Sequence, residues 1–184
     1  MTSTETLIES LNQGHQGAFA ELYRKLQPEM LRYATGLLAG DRAAAEDAVD
    51  EAFTAVWQHA DRYAGTGNAD GWVRRIVRNK AIDALRKNRG MRGSDALADD
   101  SKAAFWTDEP SPFDHAAAAD QAKWLRSALG QLNSDQRGAV WMCYYEDKSL
   151  AEIATIMGCP ENTVKTRLFH ARKTLRATLY LEDA

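Results

Sequence analysis

Apolar residues recur at helical spacing along most of the chain, and no stretch alternates with the period of two that a half-buried strand requires. The pattern predicts helices over residues 16–38, 41–60, 69–89, 115–130, 134–146, 149–157 and 161–180. The last of these is the cleanest. Val164, Leu168, Ala171, Leu175 and Leu179 form one stripe at spacings of four, three, four and four, which must pack on the rest of the protein. Just upstream, Ser149 and Glu152 fit a reciprocal cap for a helix start. Gly158 stands where a left-handed cap ends that helix, and Pro160 discourages continuation. Glu161 then suits the positive end of a new helix dipole. A short helix, a glycine-containing turn and a second helix make a helix-turn-helix.

One stretch breaks the helical pattern. Residues 93–114, "GSDALADDSKAAFWTDEPSPFD", hold Gly93, Pro110 and Pro112, with six acids (Asp95, Asp99, Asp100, Asp108, Glu109, Asp114) against the single base Lys102. A surface loop inside one domain is the alternative, but structureless loops beyond about 12–15 residues are uncommon within compact domains. The expected organisation is therefore all-α: two small helical domains, 1–92 and 115–184, joined by an acidic flexible linker over 93–114.

Composition adds limits. The 184 residues, 45% hydrophobic and 27% charged, suit a soluble protein of one or two domains. No run approaches the roughly 20 apolar residues of a membrane span, and "MTSTETLIES" does not read as a signal peptide, so no membrane insertion is expected. Cys143 and Cys159 lack zinc-site spacing and read as reduced packing thiols of a cytoplasmic protein. His15, His59, His115 and His170 are scattered, so no metal site, catalytic constellation or cofactor is expected.

Charge is where the sequence becomes informative, because a chain of formal net charge -3 segregates its bases. Opposite the apolar stripe of 161–180 lie Asn162, Thr163, Thr166, Arg167, His170, Lys173 and Thr174, without an acid among them. Phe169 stands beside this face, positioned for a thymine methyl, and Lys165, Arg172 and Arg176 flank it within reach of phosphates. A solvated basic face on a helical hairpin would share the charge, but not the turn chemistry and the stripe; together these point to a major groove. A second basic segment, "GWVRRIVRNKAIDALRKNRGMR" over 71–92, carries eight bases against Asp83 alone. Arg75, Arg78, Asn79, Arg86 and Arg89 gather opposite Trp72, Val73, Ile76, Val77 and Ala84, whose face also admits Lys80. Asp83 is expected to orient Asn79 and Lys87, and Trp72 to belong to the core. The preceding loop, "DRYAGTGNAD" over 61–70, fits either a plain connector or a pocket for an unpaired base beside Tyr63. The helix 41–60 displays Glu46, Asp47, Asp50 and Glu51, either a solvated patch or a docking surface for a basic partner, above Ala48, Ala52, Phe53, Val56 and Trp57.

Three segments taken together, "AAAEDAVDEAFTAVW", "GWVRRIVRNKAIDALRK" and "LNSDQRGAVWMCYYEDKSLAEIATIMGCPENTVKTRLFHARKTLR", resemble the bacterial sigma factors of the extracytoplasmic-function group, the compact branch of the sigma-70 class. The resemblance spans nearly everything except the linker. Its specificity lies in two patterns combined: Arg78, Asn79 and Asp83 as R-N-x-x-x-D, and Gly158 through Arg167 as G-x-P-x-x-T-V-K-x-R. It implies a non-enzymatic initiation factor for a stress or envelope regulon, restrained by an anti-sigma factor. The patch of Glu46, Asp47, Asp50 and Glu51 would dock on the clamp coiled coil of core RNA polymerase. Arg75, Arg78, Asn79, Lys80 and Arg86 would bind and open the −10 element, and the loop from Tyr63 to Asp70 would take a flipped base. Asn162, Thr163, Lys165, Thr166, Arg167, Phe169, His170, Arg172 and Lys173 would serve the duplex −35 element. The acidic linker would thread through polymerase.

Two positions depart from the family pattern. His170 stands where a permanent cation is common, and Gly138 lies inside a helix at a cost of about 1 kcal/mol relative to Ala. Three rivals explain less. A dimeric helix-turn-helix regulator leaves the N-terminal surfaces without purpose. A nuclease needs clustered metal-binding carboxylates in a basic cleft. A decoy for an anti-sigma protein has no use for two DNA surfaces.

Overall fold

The computed structural model describes residues 2–65, 68–91 and 127–182. Every regular element among them is helical. The N-terminal unit has four helices: α1 (Thr4–Asn12), α2 (Gln16–Leu37), α3 (Arg42–Gln58) and α4 (Ala69–Met91), with a single 3₁₀ turn at Ala60–Arg62. In the C-terminal unit, after helical residues 127–130, the described residues form α5 (Ser134–Tyr144), α6 (Leu150–Met157) and α7 (Glu161–Glu182). Six of these correspond to expected helices with shifts of one or two residues at their ends. Of the expected helix 115–130, residues 127–130 are helical and the rest lies outside the described residues, as does the acidic linker.

Helix α1 was not expected. Its buried residues Thr4, Leu7, Ile8 and Leu11 follow the i, i+3, i+4, i+7 spacing, and the Ser3 hydroxyl accepts the Thr6 amide at 3.1 Å to start it. Helix α1 in turn positions α4. The Glu5 carboxylate accepts the Ala69 amide at 3.1 Å, and Asn68 Oδ1 accepts that of Gly71 at 2.8 Å. Two amides without intrahelical partners at the start of α4 are thereby satisfied. From there Ala69, Val73, Val77 and Ala81 run buried down one side of α4, against α3.

The helix-turn-helix signals hold in detail. Ser149 and Glu152 form the reciprocal cap of α6, and Gly158 closes it in the left-handed region at φ 61°. Asn133 and Gln136 cap α5 in the same way. Val164, Leu168 and Ala171 are buried, Leu175 is half-buried, and Leu179 falls among side chains that are not described.

The two units do not stand apart. Helix α5 lies on α2, and α6 with the turn behind it lies on α4, so one apolar cluster extends from Leu7 in α1 to Leu168 in α7. Two glycines permit this approach. A Cβ on Gly36 would come within 2.5 Å of the Trp141 ring, and one on Gly138 within 3.1 Å of Leu37 Cδ1. Gly138, which looked like a helix defect in the sequence, is thus where α5 meets α2. The fully buried Arg137 donates from Nε to the Leu37 carbonyl at 3.1 Å, satisfying an acceptor at the end of α2.

Candidate nucleic-acid and polymerase interfaces

Helix α7 presents its outer face as the stripe requires. Asn162, Lys165, Thr166, His170, Arg172 and Lys173 are exposed, Thr163 is half-buried, and the Phe169 ring is 60% exposed, edge-on to His170. The Thr166 hydroxyl donates to the Asn162 carbonyl at 2.9 Å, which leaves its methyl and an oxygen lone pair for a ligand. Arg167 departs from this pattern. It turns back into the protein, with Nη2 on Asp135 Oδ2 at 2.5 Å and Nη1 on Cys159 Sγ at 3.2 Å. Cys143 and Cys159 are both half-buried free thiols.

On α4 the candidate residues divide. Arg75, Asn79 and Arg86 are exposed, and Arg86 pairs with Asp83 at 3.4 Å. That pairing differs from the expected orientation of Asn79 and Lys87: residues three apart also share a helix face, and the arginine reaches further. Lys80 is half-buried and meets Glu51 of α3 at 3.2 Å. Arg78 is only 11% exposed, with Nη2 on Asp135 Oδ1. Arg74, counted among the eight bases of the segment but placed on neither of its faces, is only 1% exposed. It binds Glu29 and both oxygens of Glu146, and its guanidinium lies 5.0 Å from the Tyr33 ring centroid.

Tyr63 ends the 3₁₀ turn with its ring 5.5 Å from Trp72 and its hydroxyl buried without a hydrogen-bond partner. Trp72 is half-buried against the core. Residues 66 and 67 of the loop before α4 lie outside the described residues.

The acidic residues of α3 stay on the surface. Asp47, Asp50 and Glu51 line an open groove of about 450 Å³ with Thr54, Ala55, Gln58 and Lys80. Asp50 accepts the Tyr23 hydroxyl at 2.9 Å, which fixes one edge. Glu46, further up the helix, is taken by Arg42 at 2.9 Å. On the same helix Trp57 is 60% exposed, its ring 5.7 Å from Phe19.

Among the described residues no group of three or more His, Cys, Asp or Glu is arranged to hold a metal ion, and no helix is long and apolar enough to cross a membrane.

Comparison with known proteins agrees with this geometry. Residues 22–91 match the family "Sigma-70 region 2", and residues 122–175 match "Sigma-70, region 4". The chain is 37% identical over 171 residues to the ECF RNA polymerase sigma factor SigL of Mycobacterium tuberculosis, covering 90% of this chain and 93% of the relative. Among solved structures it is similar to the sigma factor RpoE in complex with the anti-sigma factor NepR from Bartonella quintana. That likeness has a TM-score of 0.65 and 25% identity, over 88% of this chain and 96% of the other. The fold also matches CnrH in complex with the cytosolic domain of CnrY, with a TM-score of 0.68 and 21% identity, over 98% of this chain and 99% of the other. With region 2 in α2–α4 and region 4 in the helix-turn-helix, the chain belongs to the extracytoplasmic-function sigma factors of the sigma-70 class.

Proposed function

We propose that this chain is a transcription initiation factor of the cytoplasm that binds core RNA polymerase, recognises the −35 and −10 promoter elements, and is held in check by an anti-sigma factor. Residues 1–92 form the polymerase-docking and −10 unit, 93–114 the tether, and 115–184 the −35 unit. Asp47, Asp50 and Glu51, with Glu46 above them, receive the clamp coiled coil. Arg75, Arg78, Asn79, Lys80 and Arg86 contact the −10 strand, with Tyr63 beside the base pocket. In α7, Asn162, Thr163, Thr166, Phe169 and His170 face base edges while Lys165, Arg172 and Lys173 hold phosphates, a division of labour that separates sequence preference from affinity. Arg167 joins the contacts to DNA once released from Asp135. The chain does no covalent chemistry of its own and needs no cofactor.

The observation that carries this reading is the separation of surfaces: an exposed, acid-free polar face on α7 and an open carboxylate groove on α3. A dimeric regulator would have no use for the second. The test is footprinting with and without core enzyme. The chain alone at nanomolar concentration gives no specific footprint. Adding core polymerase gives a two-part footprint and a runoff transcript, both lost when Asp47, Asp50 and Glu51 are changed together to Lys. Within that complex, Thr166→Ala or His170→Ala relaxes upstream base preference by about 1–3 kcal/mol per lost contact. A tight palindromic footprint from the chain alone would install the dimeric regulator instead.

A further inference from the structure

The loop before α4 is anchored at both ends by one short helix. At its start Asn12 Nδ2 donates to the Ala60 carbonyl at 3.1 Å, and at its end Glu5 Oε1 accepts the Ala69 amide at 3.1 Å. The two side chains stand seven residues apart on α1, so they share a face and lie about 10 Å apart along the axis. Between them on that face Ile8 is fully buried, with Leu7 and Leu11 beside it, which fixes the helix to the core. Helix α1 touches both the 3₁₀ turn and α4. It precedes residues 22–91, which carry the region 2 match.

Each anchor leads to one ring of the Tyr63–Trp72 pair. The Ala60 carbonyl that Asn12 holds also accepts the Tyr63 amide at 3.1 Å, as the two lone pairs of a carbonyl allow. The Tyr63 hydroxyl has no hydrogen-bond partner, so its ring takes its direction from this backbone anchor and from packing on Trp72, 5.5 Å away. At the other end Ala69, fixed by Glu5, opens the turn in which the Trp72 amide donates to the Asn68 carbonyl at 3.0 Å. The Asn68 side chain lies over Gly71 so closely that a Cβ there would meet its Oδ1 at 2.6 Å. Gly65, between the anchors, is exposed at φ 66° with nothing within 4 Å of where a Cβ would stand.

We propose that α1 braces the base pocket, with Glu5 and Asn12 as positioning residues that set how strictly the opened −10 strand is read. This rests on the reading of the loop from Tyr63 to Asp70 as the receiver of a flipped base. A loop with loose ends samples many shapes, and a base that selects one of them binds more weakly by that fraction. A loop free to reshape also accepts the wrong base nearly as well as the right one. Discrimination therefore falls before overall affinity, which phosphate contacts on α4 carry. Neither Glu5 nor Asn12 has to touch DNA.

The test uses the full chain assembled with core polymerase and the promoter fragment that yields its runoff transcript. The −10 non-template strand is left unpaired, each of its positions is varied through the four bases, and the templates compete for holoenzyme. The duplex −35 positions are varied in the same way. Glu5→Ala and Asn12→Ala are each expected to cut the preference for the best base over the worst at one −10 position by about fivefold, the worth of one net hydrogen bond, and to leave −35 preference unchanged. Glu5→Gln, which keeps an oxygen facing the Ala69 amide, should retain more of that preference than Glu5→Ala. Equal loss at every position, or a lower Tm by circular dichroism with −10 preference intact, would mean that α1 only stabilises the fold, and the proposal is overturned. Gly65→Val separates this from the underlying reading, because a β-branched residue does not keep φ 66° and so reshapes the loop without touching α1. If Gly65→Val alone alters the −10 preference, the loop reads a base but α1 does not brace it, and the proposal is overturned. If Gly65→Val also leaves the preference intact, the loop is no base pocket, and the reading falls together with the proposal.

Discussion

Tyr33 offers a change expected to stabilise the protein. Its side chain is fully buried where α4 and α5 meet α2, yet its hydroxyl has no hydrogen-bond partner. Gly138 of α5 covers it, since a Cβ there would lie 3.5 Å from the oxygen. Burying an unbonded hydroxyl costs about 1–3 kcal/mol. Tyr33→Phe removes that penalty and keeps the ring under the Arg74 guanidinium, so the cation–π contact survives. Against the gain stands a void the size of one hydroxyl. At about 24 cal/mol per Å³ and on the order of 10–15 Å³, that is roughly 0.3 kcal/mol. The net is a stabilisation of about 1 kcal/mol.

In urea this raises the midpoint by about 0.5 M for a slope near 2 kcal/mol/M, and in a thermal scan it raises Tm by about 2–4 °C. Alkali supplies an independent readout. Burial pushes the Tyr33 hydroxyl well above its ordinary pKa of 10.0, against the opposing pull of Arg78 and Arg74. A pKa raised on folding means stability is intact below pH 10 and is lost as pH rises above it, when the unfolded chain ionises and the folded one does not. The native protein should therefore fall behind the Phe variant by about 1.4 kcal/mol per pH unit above 10, while titrations common to both cancel. Loss of 1 kcal/mol or more in Tyr33→Phe at pH 7, with parallel alkaline profiles, would show that the hydroxyl is bonded in solution and that the reasoning fails.

Two further substitutions probe how the interfaces are held. Glu5→Gln weakens the carboxylate cap on the Ala69 amide and should cost about 1 kcal/mol at pH 7 in urea unfolding. That amide holds the Glu5 carboxyl below its ordinary 4.5, so its contribution is present above that pH and disappears as pH falls through the lower folded value; native and variant curves should converge in acid. Gly158→Ala forces alanine into φ 61° and should cost about 1–2 kcal/mol in urea unfolding, while Gly158→Asn should cost less.

The elements that were legible in the sequence are those whose cause lies within one helical turn. The Ser149–Glu152 cap, the left-handed Gly158 and the stripe from Val164 all act between residues at most four apart, so one strand of text contains the whole interaction. Helix α1 carried the same signals in Ser3 and in the spacing of Leu7, Ile8 and Leu11, but its nine residues are too short for the period to stand out from a polar start. What stayed hidden depends on partners far along the chain. Gly138 looked like a flaw because Leu37 and Tyr33, about a hundred positions away, are what forbid a side chain there. The helical wheel set Arg75 and Arg78 together on one face and left Arg74 off it, but it could not show that Glu146 clamps Arg74 in the interior or that Asp135 draws Arg78 in while Arg75 stays exposed. The charge pattern did hold a hint of this. In a chain of net charge -3, clustered arginines have acids of their own protein within reach. A folded chain that gathers basic side chains on two helices therefore neutralises some of them internally, as Glu146 and Asp135 do for Arg74, Arg78 and Arg167, and leaves others such as Arg75 exposed.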